Sequence, residues 1–118
     1  MTPEEFEKET AAAISALPPF FKERLANVVV LVRARPTAAQ TRRFGGGLLG
    51  LYEGVPLLDR GQAYSGAMPD KITLFQDNIE ARRPAGEELR GEIRHVVMHE
   101  IAHHFGITDE ELIEKGLY

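Results

Sequence analysis

The sequence predicts an α+β domain, and three observations lead there. Residues 87–105 repeat Leu89, Ile93, Val97 and Ile101 every four positions, with Val96 and Phe105 widening the stripe, as in a long helix with one apolar face. The run Asn27-Val28-Val29-Val30-Leu31-Val32 is β-branched and apolar on both faces, which reads as a central strand. Helical patterns near both ends enclose short extended stretches in the middle of the chain.

Each element has its own signal. Thr2-Pro3-Glu4-Glu5 opens the first helix: Thr2 suits the N-cap, Pro3 the first helical position, and Glu5 completes a capping box. Phe6, Ala13, Ile14 and Leu17 then share one side, until Pro18-Pro19 stops the pattern and residues 20–25 add a short helical turn. After the strand at 27–32, Pro36 begins a loop over 37–47, polar at first and then glycine-rich. Residues 48–52 and 55–58 read as short strands around Glu53-Gly54, and 61–69 as irregular. Ile72-Thr73-Leu74-Phe75 reads as a strand, placed at an edge by Gln76-Asp77-Asn78 and the Arg82-Arg83-Pro84 break. Gly106 is a natural stop for the long helix. Thr108 with Glu111 makes a second capping box, opening a short last helix that Gly116 closes.

Composition bounds what such a chain can do. Its 118 residues fit a single domain, 1–118, large enough to bury a self-sufficient core. The absence of cysteine excludes a disulfide framework, thiolate zinc sites and cysteine nucleophiles together. Met1-Thr2-Pro3-Glu4-Glu5 is acidic where a secretory signal would be basic, and the apolar run at 28–32 is too short for a bilayer. A net charge of −4 and a pI near 5.6 argue against nucleic acid, which selects basic faces. The expectation is a cytoplasmic protein with neither a membrane nor a nucleic-acid partner; no pattern indicates an oligomeric state.

The chemistry concentrates in His99-Glu100-Ile101-Ala102-His103, an H-E-x-x-H string on the long helix. Residues four apart lie about 40° from each other around a helix and one turn apart along it, so two imidazoles can reach one ion. Zinc favours neutral imidazole nitrogens. Glu100 points about 100° away from His99, poorly placed as a ligand but within reach of an attacking water as general base. By average residue usage the five-residue string arises in on the order of one chain in several hundred of this length. Here it extends to H-E-x-x-H-x-x-G-x-x-D, and each added position makes coincidence more than about tenfold rarer. Gly106 can turn the chain at the helix end, and Asp109 can then supply a third ligand. The plainer alternative makes His99 and His103 polar-face residues, with Asp109 adding charge near the start of the last helix.

The extended string resembles the metzincin-type zinc signature in its variant with aspartate as third ligand. More closely, the chain resembles the short bacterial zincin-like metallopeptidase family, through Leu51-Tyr52-Glu53-Gly54-Val55-Pro56-Leu57, Pro69-Asp70-Lys71-Ile72-Thr73-Leu74-Phe75 and residues 99–109. That resemblance implies a zincin-like minimal fold: a small mixed sheet packed against an N-terminal helix and a long active-site helix, with a short C-terminal helix. It also implies a Zn²⁺ ion and peptidase activity on a peptide or protein substrate. It carries over His99, His103 and Asp109 as ligands and Glu100 as general base. The chain departs from the metzincin pattern in lacking a methionine after the third ligand, since Met68 and Met98 both precede Asp109.

Other residues weigh towards plainer roles. His104, about 140° from His99, suits a core-edge histidine satisfied by a backbone carbonyl better than an extra ligand or a partner to one. His95 can line a cleft or stand in solvent. Gly45-Gly46-Gly47 lacks the Gly-Lys-Ser/Thr of a phosphate loop, and Arg42-Arg43 and Arg82-Arg83 read as solvated charge. Tyr52, Tyr64 and Tyr118 could each present a hydroxyl to a reacting carbonyl, against a default of packing. In zincins an edge strand before the active-site helix pairs with the substrate, and residues 72–78 are the candidate, with pairing inside the sheet and no substrate role as the alternative. Two rivals to the peptidase stand: a zinc-binding protein without turnover, acting as a scaffold or through a partner, and a zinc-dependent ribonuclease. Glu100 and the acidic balance count against the second.

Overall fold

The first helix forms as its cap dictates. In the computed structural model, which describes residues 1–22, 25, 28–54, 70–107 and 109–114 apart from the side chains of Phe20, Asp109 and Leu112, α1 spans Pro3–Ser15. Thr2 Oγ1 accepts the Glu5 backbone N–H at 3.1 Å, and the Glu5 carboxylate accepts the Thr2 N–H at 3.2 Å. The bond from the Thr2 backbone holds the Glu5 carboxyl below its ordinary range. Phe6, Ala13 and Leu17 are buried, with Ile14 partly so, and a single turn, α2 (Pro19–Lys22), follows.

The sheet corrects the strand order expected from sequence. Its three strands among the described residues are β1 (Val28–Arg33), β2 (Gly50–Glu53) and β3 (Asp70–Phe75), in the order β1-β3-β2. β1 runs parallel to β3, from Val28 opposite Asp70 to Arg33 opposite Phe75; β2 runs antiparallel, from Gly50 opposite Leu74 to Glu53 opposite Lys71. The strand at 72–75 is therefore central rather than an edge, and the valine-rich strand lies outside it. Burial agrees: Ile72, Leu74 and Phe75 are essentially inaccessible, whereas Val29 is 40% exposed. The physical reason is that β-branched residues fit any pleated, half-buried surface, which edge and central strands both offer, while pairing across the sheet decides which strand lies in the middle. β1 turns Val28, Val30 and Val32 towards the core and Val29 away from it.

Two further helices lie where the sequence reading had none. Within the expected 37–47 loop, α3 (Ala38–Phe44) is started by a capping box between Thr37 and Gln40, although it buries nothing. α4 (Gln76–Arg82) begins directly at the end of β3, where Gln76-Asp77-Asn78 had suggested a strand edge; it buries Gln76 and Ile79. Asn78 Nδ2 donates to the carbonyls of Gly46 at 2.9 Å and Leu48 at 2.7 Å, so α4 pins the glycine-rich segment leading into β2.

The long helix α5 (Gly86–Phe105) starts one residue before the expected position and ends where expected. Leu89, Ile93, Val97 and Ile101 are at most 2% exposed, each contributing about 1.5–3 kcal/mol of hydrophobic burial. Arg90 meets Glu9 at 3.2 Å and clips α5 to α1; that hydrogen bond raises the guanidinium above its ordinary value. At the far end Gly106 is left-handed (φ 75°, ψ 25°), with Ile107 N–H bonded to Ala102 O and Gly106 N–H to His103 O, the paired bonds of a Schellman turn. α6 (Asp109–Glu114) follows. The expected strand at 55–58, the stretch 61–69, Thr108 and Gly116 lie outside the described residues.

Candidate metal centre

Helix periodicity assembles the centre. His99, Glu100 and His103, all in the last two turns of α5, offer one ligand atom each within 4.8 Å of one another. The two imidazole rings lie 4.6 Å apart between centroids. Glu100 is 5% exposed while His103 faces solvent, and Glu100 Oε1 stands 3.3 Å from His103 Nδ1. Two imidazoles close enough to reach one ion, with a carboxylate beside them lining a cleft, have the chemistry that fits a zinc site. Asp109 opens α6 after the left-handed turn at Gly106, and its side chain lies outside the described residues. The structure thus brings together His99, Glu100 and His103 and carries the backbone of Asp109 past the end of the same helix.

The cleft is about 670 Å³, walled on one side by α5 at His95, Val96, His99, Glu100 and His103 and on the other by residues 47–52. Its apolar part comes from Phe44, Leu48, Leu49 and Leu51. The two walls meet at Gly50. A Cβ there would fall 2.9 Å from both Glu100 Cγ and Val96 Cγ1, so only a residue without a side chain lets β2 run this close to Glu100. The strand lining the cleft is therefore β2; of residues 72–78, 72–74 pair with strands on both sides and 76–78 belong to α4.

His95 lines the cleft, 6.5 Å from His99 between ring centroids. His104 is buried, but its partner is a carboxylate rather than a backbone carbonyl: Nδ1 lies 2.7 Å from Asp70 Oδ2. Tyr52 also lines the cleft, yet its hydroxyl donates to that same oxygen at 2.8 Å, which makes it an anchor and not a proton donor to substrate. Tyr64, Tyr118 and Met68 lie outside the described residues, and Met98 packs against the core. Gly50, Asp70 and Phe44 escaped the sequence reading. A glycine opening a strand hints at close approach, but nothing local marks an aspartate as buried or a phenylalanine as cleft-lining.

Among the described residues no helix is long and apolar enough to cross a membrane. No curated protein matches the chain. Its residues 25–117 match the family model of the zincin-like metallopeptidases. A match across that span, carrying β1 to α6 and the whole of the cleft described above, makes the chain a member of the zincin-like metallopeptidase family.

Proposed function

We propose that residues 1–118 form one catalytic domain of a cytoplasmic zinc peptidase, with His99, His103 and Asp109 as metal ligands and Glu100 as general base. The observation that carries this reading is the place of Glu100: a buried carboxylate, beside both imidazoles, lining an open cleft. Held by His99, His103 and Asp109, zinc would supply the Lewis acidity needed to polarise a scissile carbonyl and acidify a water. Glu100 takes the proton from the attacking water and returns it to the leaving amine. Its burial suits that task, since a carboxylate in a fixed, poorly hydrated position needs little reorganisation as the proton moves. β2 offers an extended wall along which a peptide can lie, and Gly50 keeps that wall against Glu100.

The apolar lining gives the reading a specificity. A large apolar side chain next to the scissile bond would be buried against Phe44, which is 47% exposed without substrate, and against Leu49 and Leu51. Zinc-loaded protein incubated with a broad peptide library, with products read by mass spectrometry, is expected to cleave beside such residues and to stop on chelation. Phe44→Ala should lower kcat/KM for those peptides on the order of tenfold, the usual worth of a few methylene contacts. Cleavage beside acidic or basic residues only would contradict the role given to this wall. A fully zinc-loaded protein that cleaves nothing would favour the metal-binding reading without turnover.

A further inference from the structure

A buried polar cluster links the central strand β3 to the two elements that wall the cleft, β2 and α5. Asp70, on the central strand, is 1% exposed, and its Oδ2 accepts both the Tyr52 hydroxyl of β2 at 2.8 Å and the His104 imidazole of α5 at 2.7 Å. Because a carboxylate oxygen accepts, the proton of the second bond sits on His104 Nδ1. Behind the carboxylate, a Cβ on Gly54 would fall 2.5 Å from Asp70 Oδ1, so Asp70 is packed against bare backbone. The ring of Tyr52 meets that of His104 edge-on at 5.9 Å.

The placement of the two arms gives the cluster its consequence. His104 follows His103 directly and lies one helical turn past Glu100, in the turn that presents the metal-binding imidazole. Tyr52 lies two residues past Gly50, on the same face of β2 that touches Glu100. One carboxylate therefore holds the strand wall and the helix end in a single arrangement. A buried carboxylate that loses a donor is left poorly solvated, so neither arm swings away freely.

We propose that Tyr52, Asp70 and His104 form a positioning clamp that fixes β2 against the metal-binding turn of α5 and so aligns a peptide with Glu100. The kinetic part rests on the peptidase reading; the structural part does not. In zinc-loaded full-length protein, Tyr52→Phe is expected to keep its zinc and leave KM within about twofold, while kcat falls about tenfold to a hundredfold, the cost of a misplacement of about 1 Å. Amide exchange followed by mass spectrometry should quicken about tenfold in residues 48–54 and 99–107, as one hydrogen bond is lost, with α1 unchanged. His104→Asn, whose amide can stand in for Nδ1, should restore most of both properties; His104→Leu should behave like Tyr52→Phe. Exchange that quickens equally in α1, with kcat and KM at wild-type values, would reduce the cluster to general stability and overturn the proposal. So would His104→Leu that matches wild type in both measurements. If the wild type turns over no peptide, the peptidase reading falls, and the exchange pattern alone decides the clamp.

Discussion

Glu100→Gln is expected to retain zinc at the wild-type level and to lose about 10²- to 10⁴-fold in peptide hydrolysis, the range that general-base catalysis contributes. The substitution keeps the size of the side chain and its packing beneath Gly50, where Glu100 Cγ approaches the strand. It removes only the capacity to take up a proton. Single-turnover kinetics on a peptide found in the library, beside elemental analysis of the same preparations, would separate the two effects. A variant as active as the wild type would assign the activity to another base or a contaminant. A variant that lost its zinc would make Glu100 a ligand, a role that its position within 4.8 Å of both imidazoles permits geometrically.

The second large effect is on stability. A metal that binds only the folded chain stabilises it by mass action, by about 4 kcal/mol when free metal stands a thousandfold above its dissociation constant. For a chain of 118 residues this corresponds to a fall in melting temperature on the order of 10–20 °C when EDTA strips the metal, reversed by added zinc. His103→Ala should melt at one temperature with or without EDTA, because the exposed imidazole it lacks belongs to the site and not to the core. A wild-type melt indifferent to EDTA would mean that no metal binds the folded state.

What was legible in the sequence was what local geometry determines. The α5 stripe, the His99–Glu100–His103 grouping and the turn at Gly106 all depend on contacts within a few residues along one helix, where spacing fixes direction. The capping boxes at Thr2 and Thr37 are equally local; the second stands in the sequence as plainly as the first, but its helix has no apolar stripe to draw attention to it. The strand order was not legible. An apolar, β-branched run resembles a central strand wherever it lies, and only pairing across the sheet, Val30 opposite Ile72 and Tyr52 opposite Ile72, put β3 in the middle. The clamp was hidden for the same reason. Asp70 stands 18 positions from Tyr52 and 34 from His104, separations at which no periodicity connects residues.

The peptidase reading depends on a zinc ion held by residues of α5 and the segment that follows it, and counting metal decides whether that ion is there. Elemental analysis of protein purified without chelators is expected to give about one zinc per chain for the wild type, as for a site with three protein ligands. The His99→Ala/His103→Ala double variant should carry almost none, and Asp109→Ala a strongly reduced amount, with all proteins shown to be folded by circular dichroism. Full retention by Asp109→Ala would remove that residue from the ligand set. Full retention by the double variant would place the metal elsewhere and remove α5 from the site.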